Sequence, residues 1–292
     1  MITDVASRSD YRVRLLHETR AITLPDLESS VDGEPIFRAA SPEGLLTLTV
    51  RGAQLPAPYL SDVYRFRLAQ YLQRGWINED IAAARGLDAE PYDETALTDQ
   101  HTLVVEEETG RLRGYGTLAG TRSPAGTRLG DAEHRPFVVE RDYALRLADH
   151  LGAATPSAHV WEGKRLVRDY AMDQSQAGVS VPWWVYRGWA EGCVRALADE
   201  GAAIVGDGKP GVAIHQLGLL GFSARMLDVP AKPPAPTDLF APMWGQEQRS
   251  YPFVLTDGDA LRPTLAHLDA VLASGEPGSV GGRLTAFQEA RS

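Results

Sequence analysis

Two side chains in the stretch Trp161-Glu162-Gly163-Lys164-Arg165-Leu166-Val167-Arg168-Asp169-Tyr170 can handle a proton and an anion side by side. Glu162 offers a carboxylate base and Arg165 a planar guanidinium that holds carboxylates through paired hydrogen bonds. The two stand three positions apart, so on a regular strand they face opposite ways. Both serve one pocket only if the strand bulges or bends into a loop. Without further support, such a pair is equally a solvated strand end worth about 0–1 kcal/mol.

Three other groups carry chemistry. Asp88, Glu90 and Asp93 crowd one loop marked by Pro91, and three carboxylates this close repel each other unless water, a cation or a cationic ligand intervenes. On the predicted helix 59–74, Val63, Phe66 and Gln70 share a face with Tyr59, whereas Arg67, Tyr71 and Arg74 fall on a neighbouring one, which turns Arg67 toward a cleft. The segment Asp173-Gln174-Ser175-Gln176-Ala177-Gly178-Val179-Ser180 enters a helix predicted over 183–200 through Val181-Pro182 and ended by Gly201. A small-residue loop at a helix start presents unpaired N–H groups and a positive dipole end to a phosphate.

These groups need a scaffold, and composition provides for one. The 292 residues are 43% hydrophobic and 23% charged, enough for a full core in a soluble globular chain. The 39 acidic against 29 basic residues give a net charge of −10 with no compensating basic run, which disfavours nucleic acid and anionic membranes as partners. A single cysteine, Cys193, leaves no disulfide framework and no multi-cysteine metal site. No apolar run approaches a membrane span and the first residues lack the pattern of a secretory leader, so the expected compartment is the cytoplasm.

The positioning elements follow in order. Residues 1–44 read as an N-terminal extension with a weak helical stretch at 12–20, residues 45–236 as the main domain, and 237–292 as a C-terminal strand and helix extension. In the main domain, 45–50 is a strand and 59–74 a helix; 102–106 and 112–119 form a hairpin turning at Thr109-Gly110. A short helix is expected over 143–151, the Glu162 strand over 158–170, strands at 202–205 and 223–227, and a short helix at 213–220. Trp183, Trp184 and Trp189 read as core. After the proline-rich 230–236, an edge strand at 251–255, a helix at 261–272 and a flexible 275–282 complete the reading.

This order of elements, with Glu and Arg on one strand and a Gly-Phe after the short helix, resembles the GNAT acyltransferase superfamily, and within it the acyl-homoserine-lactone synthases. Arg67, Tyr71 and Trp76 match that family's Arg-aromatic-Trp, one residue short before the Trp; Asp88, Glu90 and Asp93 match its acidic loop; Trp161, Glu162 and Arg165 match its Trp-Glu-x-x-Arg. The resemblance covers roughly 45–230. It implies an α/β fold (α+β), a GNAT-like central mixed, mostly antiparallel sheet flanked by helices. It also implies acyl transfer from an acyl-CoA or acyl-carrier-protein thioester to an amine, with S-adenosylmethionine as co-substrate, no tightly bound cofactor and no metal. Glu162 and Arg165 are the implied catalytic pair. Arg67, Tyr71, Trp76, Asp88, Glu90 and Asp93 would bind the acceptor. Val167 and Asp169, with neighbouring backbone N–H groups to Ala171, would hold the thioester carbonyl, and Gln174, Gln176, Gly178 and Ser180 the phosphate region of the donor.

The chain departs from the pattern at one position. Thr117, in Gly114-Tyr115-Gly116-Thr117-Leu118, stands where the family carries an arginine lining the S-adenosylmethionine site. This leaves two alternatives beside the synthase: an N-acyltransferase for an amino acid or other biosynthetic amine, and an inactive homologue that only binds ligand.

Overall fold

The computed structural model describes residues 3–91, 97–172, 175–229, 235, 237–245, 249–256, 260–276 and 279–291, with the side chains of 3–9, Arg165 and Gln176 left aside; Asp93 and Gln174 lie outside the described residues. The chain runs α1 (Thr3–Arg20), α2 (Leu27–Ser30), β1 (Phe37–Ala40), β2 (Leu45–Arg51), α3 (Ala57–Arg74), α4 (Glu79–Ala84), β3 (Gln100–Glu106) and β4 (Leu112–Ala119). It continues through α5 (Val138–Tyr143), α6 (Ala148–Leu151), β5 (Val160–Arg168), α7 (Gln176–Ala196), β6 (Ala203–Gly208), α8 (His215–Leu219) and β7 (Ser223–Met226). The last elements are α9 (Ala241–Trp244), β8 (Tyr251–Thr256), α10 (Leu261–Ala273) and α11 (Val280–Glu289).

The strands form one sheet in the order β1-β2-β3-β4-β5-β6-β8-β7, antiparallel everywhere except between β5 and β6. This is the mixed, mostly antiparallel sheet the sequence implies. Runs of strand formers buried throughout, such as Leu45–Val50, belong to strands covered on both faces, and here both are covered. On one face, Val104, Leu118 and Ile204 meet Val181, Val185 and Trp189 of α7, with α10 and α11 behind. On the other, Leu48, Leu103 and Tyr115 meet Phe66 of α3 and Leu15 of α1, while farther along Val160 and Val205 meet Val139 and Tyr143 of α5.

Several local expectations are corrected. Residues 143–151 are not one helix, because Ala144 at φ 51° ends α5 in the left-handed region and α6 starts afresh at Ala148. α7 begins at Gln176, well before Trp183: Ser175 caps it through Gly178 N–H, and Pro182 is carried inside the helix instead of opening it. The tolerance has a local reason. Proline donates nothing to the carbonyl four residues back, Gly178, and that carbonyl accepts from Arg168 Nη1 at 3.2 Å instead. β8 is not an edge strand but lies between β6 and β7. Gly281 and Gly282 are helical, in α11, and Val280 and Leu284 of that helix are buried in one core cluster with Leu268 and Val271 of α10.

Residues before 45 supply the sheet's outer strand β1 and core side chains from Tyr11 to Ile36. Among the described residues, no helix is long and apolar enough to cross a membrane.

The parallel pairing of β5 with β6 is closely packed. A Cβ on Gly206 of β6 would lie 2.7 Å from the Gly163 carbonyl oxygen and 3.0 Å from the Phe253 ring. Gly206→Ala should therefore lose about 1–3 kcal/mol, read as a lower urea midpoint at unchanged slope. Gly218→Ala, on a helix with open space around the site, should be neutral or slightly stabilising.

Candidate active site

β5 carries the site because its hydrogen bonding changes twice along nine residues. Toward β4 the register runs Ala119↔Glu162, Leu118↔Gly163, Thr117↔Lys164 and then shifts to Tyr115↔Val167 and Gly114↔Arg168. Two residues of β5, Arg165 and Leu166, thus stand against Gly116 alone, a bulge at the point where the Glu162–Arg165 spacing calls for one. Leu166 leans onto the space Gly116 leaves, where a Cβ would come within 3.1 Å of it. Toward β6 the parallel pairing runs only from Val160↔Ala203 to Gly163↔Gly206. Beyond Gly163 the two strands part, and the later edge of β5 faces the start of α7, where Arg168 reaches Gly178.

On the α3 side of the sheet, a cleft of about 480 Å³ opens between α4, α5 and the segment 237–244, with Glu162 and Lys164 on its floor. Glu162 is 3% exposed and is held by three donors. Val139 N–H reaches Oε1 at 2.7 Å, Val138 N–H reaches Oε2 at 3.2 Å, and Lys164 Nζ lies 3.4 Å from Oε2. The carboxylate thus sits against the first turn of α5, where unpaired N–H groups and the positive helix end favour it.

The same helix is anchored from its other side. Glu140 accepts from Phe137 N–H and Leu147 N–H, and lies 2.9 Å from His134 Nε2. His134 Nδ1 in turn lies near the hydroxyls of Ser157 and Ser123. Tyr143 donates to Asp207 and packs edge-on against Trp244, closing the end of the cleft.

Five cationic side chains line the cleft, Arg85, Arg122, Arg135, Arg141 and Lys164, against three carboxylates, Asp142, Glu162 and Asp238. Arg122 is fixed by two bonds to Asp99, at 2.8 and 2.7 Å.

The predicted acceptor residues divide. Tyr71 and Trp76 pack against one another with their rings tilted by 40°, and Tyr71 meets Phe240 of the cleft wall edge-on at 6.0 Å. Arg67 does not look into the cleft. It is fully buried, with Nη2 2.6 Å from Glu90 Oε2 and its guanidinium between the rings of Tyr64 and Tyr115 at 5.3 and 5.5 Å. A cation this deep keeps its charge by taking a carboxylate with it, so Glu90 serves the fold beneath the sheet. Asp88 is exposed on its loop.

The predicted donor residues are corrected more broadly. The Val167 side chain is core. Asp169 is buried with Arg113, and Asp169, Tyr170 and Ala171 give their N–H groups to Arg113 O, Gln70 Oε1 and Asp169 Oδ1. None of these three donors is left to hold a thioester carbonyl. Gly178 and Ser180 lie in helix, not loop; Gly178 N–H is taken by the Ser175 cap, and the buried Ser180 hydroxyl donates to Ala177 O.

Sequence reading missed Lys164, the Arg122–Asp99 pair and the segment 237–244. Strand alternation from Glu162 points to Lys164, since residues two apart share a face. Nothing in the sequence links Asp99 to Arg122.

Thr117 faces the α3 side, buried, with its hydroxyl 2.5 Å from Tyr115 Oη; Tyr115 Oη also lies 2.7 Å from His101 Nδ1. Burial pushes His101 down to about 4, with Arg67 and Arg122 acting in the same direction and Asp99 opposing.

No protein-family model and no curated protein matches the chain. Solved structures similar to it include several described as acyl-homoserine lactone synthases. They include LasI, at 14% identity over 76% of this chain and 95% of that one (TM-score 0.49), and the CoA-dependent synthase MesI, at 14% identity over 76% and 94% (TM-score 0.46). The CoA-dependent synthase BjaI, solved with SAM and isopentyl-CoA, aligns at 14% identity over 77% and 87% (TM-score 0.43). These are distant likenesses, and the chemistry below rests on the residues of the cleft.

Two stability predictions follow from the buried groups. Glu90→Ala leaves the Arg67 charge buried without its carboxylate and should cost about 3–5 kcal/mol in chemical denaturation. His101 is neutral in the fold and takes up a proton more readily when unfolded, so stability is full above pH 6.5 and falls as pH drops toward 4, by about 3 kcal/mol. His101→Gln should flatten the stability profile over that window.

Proposed function

We propose that the cleft is the active site of a cytoplasmic acyltransferase that moves an acyl group from a coenzyme A or acyl-carrier-protein thioester to the amine of S-adenosylmethionine. The product then closes to an acyl-homoserine lactone with release of methylthioadenosine. The observation that carries this reading is a buried carboxylate, Glu162, on the floor of an open cleft and on a strand that bulges and parts from its neighbour within the next few residues.

Thioester aminolysis needs a neutral, aimed amine and donors for the developing oxyanion. An acceptor ammonium in the cleft gives its proton to Glu162, directly or through a water. The freed nitrogen attacks the thioester carbonyl, the carbon–sulfur bond breaks, and the thiolate leaves to be protonated. Because the N–H groups of 169–171 are engaged, the oxyanion donor belongs at the bulge opposite Gly116, where the ladder is interrupted. The donor's pantetheine arm enters where β5 and β6 part. Lactone closure follows by attack of the acceptor's carboxylate oxygen on the carbon bound to sulfonium, with methylthioadenosine as leaving group. Arg165 is assigned to orienting Glu162, and Asp88 and Asp93 to drawing the cationic acceptor toward the mouth.

A second reading, N-acylation of a free amino acid, is favoured by Thr117, whose hydroxyl is directed at Tyr115.

Mass spectrometry of products from the purified chain, S-adenosylmethionine and a panel of acyl thioesters separates the two. The synthase yields acyl-homoserine lactone with methylthioadenosine, whereas thioester consumption only with an added amino acid selects the second reading. Glu162→Gln should lower turnover by about 100-fold or more. Its remaining oxygen still accepts from Val139, so circular dichroism should show a folded chain, and undiminished turnover removes Glu162 from the mechanism.

A further inference from the structure

Lys164 has no role in the chemistry above, yet it shares the cleft floor with Glu162. The two are two residues apart on β5 before the bulge begins, so both project from the same face, and their cross-strand partners are Thr117 and Ala119. Lys164 Nζ lies 3.4 Å from Glu162 Oε2, and its side chain is 14% exposed, mostly enclosed but open to the cleft. The Glu162 carboxylate has about four acceptor positions, of which Val138, Val139 and Lys164 take three. One remains for a ligand. The lysine ammonium carries three donors in a flexible arrangement.

We infer that Lys164 is the specificity-determining residue for the acceptor: it binds a carboxylate carried next to the reacting amine, while Glu162 takes the ammonium. This rests on the acyltransferase reading and adds to it the charge pattern of the substrate. An α-amino acid bears its ammonium and carboxylate on one carbon, so both reach a pair of opposite charges this close, and the four groups alternate in sign. The surroundings agree. Arg122 is already matched by Asp99, and the other cations of the lining stand among Asp142, Glu162 and Asp238, so the cleft wall offers both signs that an α-amino acid carries. Thr117, across the ladder from Lys164, is short and directs its hydroxyl to Tyr115, so it does not compete for the ligand's carboxylate.

The test uses the full chain with an acyl-CoA it accepts and, as acceptors, S-adenosylmethionine and the free L-amino acids. Each acceptor that is turned over is compared with the same compound lacking a free carboxylate: decarboxylated S-adenosylmethionine or the amino acid methyl ester. Loss of a charge-assisted bond predicts that Lys164→Met raises the acceptor KM by about 10- to 100-fold with kcat changed far less. Lys164→Arg should restore most of the affinity. The wild type should prefer the carboxylate-bearing acceptor by a similar factor, and Lys164→Met should lose that preference. A KM unchanged in Lys164→Met, or a carboxylate preference that survives it, overturns the inference while leaving acyl transfer standing. A wild type that acylates no amine overturns the acyltransferase reading and the inference with it.

Discussion

Glu162 is a carboxylate taken almost wholly out of water, and the side of the molecule around it is arranged to satisfy that group. Burying a charge without partners is costly, and here the partners are two backbone N–H groups of α5 and the ammonium of Lys164. The first two hold a six-residue helix, too short to be stable alone, against the end of β5. Glu140 and His134 secure the same turn from behind. One wall of the cleft is thus positioned by the carboxylate on its floor.

The other half of the site depends on interrupted strand pairing. β5 is bulged toward β4 and released from β6 after Gly163, so its later residues are ordered without a full complement of sheet bonds. Their order comes from side chains instead. Arg168 reaches the Gly178 carbonyl that Pro182 leaves open, Gln70 accepts from Tyr170, and Trp189 donates to the Thr117 carbonyl beside the bulge. Each contact ties β5, its neighbour β4 or the turn after β5 to a helix.

Much of this was legible in the residues. Strand runs such as Leu45–Val50, the hairpin turning at Gly110 and the need for a bulge beside Arg165 all follow from local spacing. The start of α7 was not, because Pro182 looks like a first-turn proline and nothing local reveals that Arg168 will satisfy the carbonyl it strands. Arg67 was misplaced for a similar reason: helix spacing gives a face, and only its pairing with Glu90 and the Tyr64 and Tyr115 rings makes that face a buried one. Local pattern reports backbone preference. The site is made of contacts between residues far apart in the chain, and those have no local signature.

The placement of β8 between β6 and β7 bears on how the molecule comes into being. As the chain emerges from the ribosome, β6 and β7 are complete well before the strand that must lie between them, and the segment that closes the cleft, 237–244, comes just before that strand. Until then β6 presents an open edge able to pair with the wrong partner. Nascent chains stalled short of residue 256 therefore lack both a finished sheet and a finished cleft. A cell making this protein would have no finished cleft ahead of its last third, and would carry an open sheet edge for as long as translation of that stretch takes.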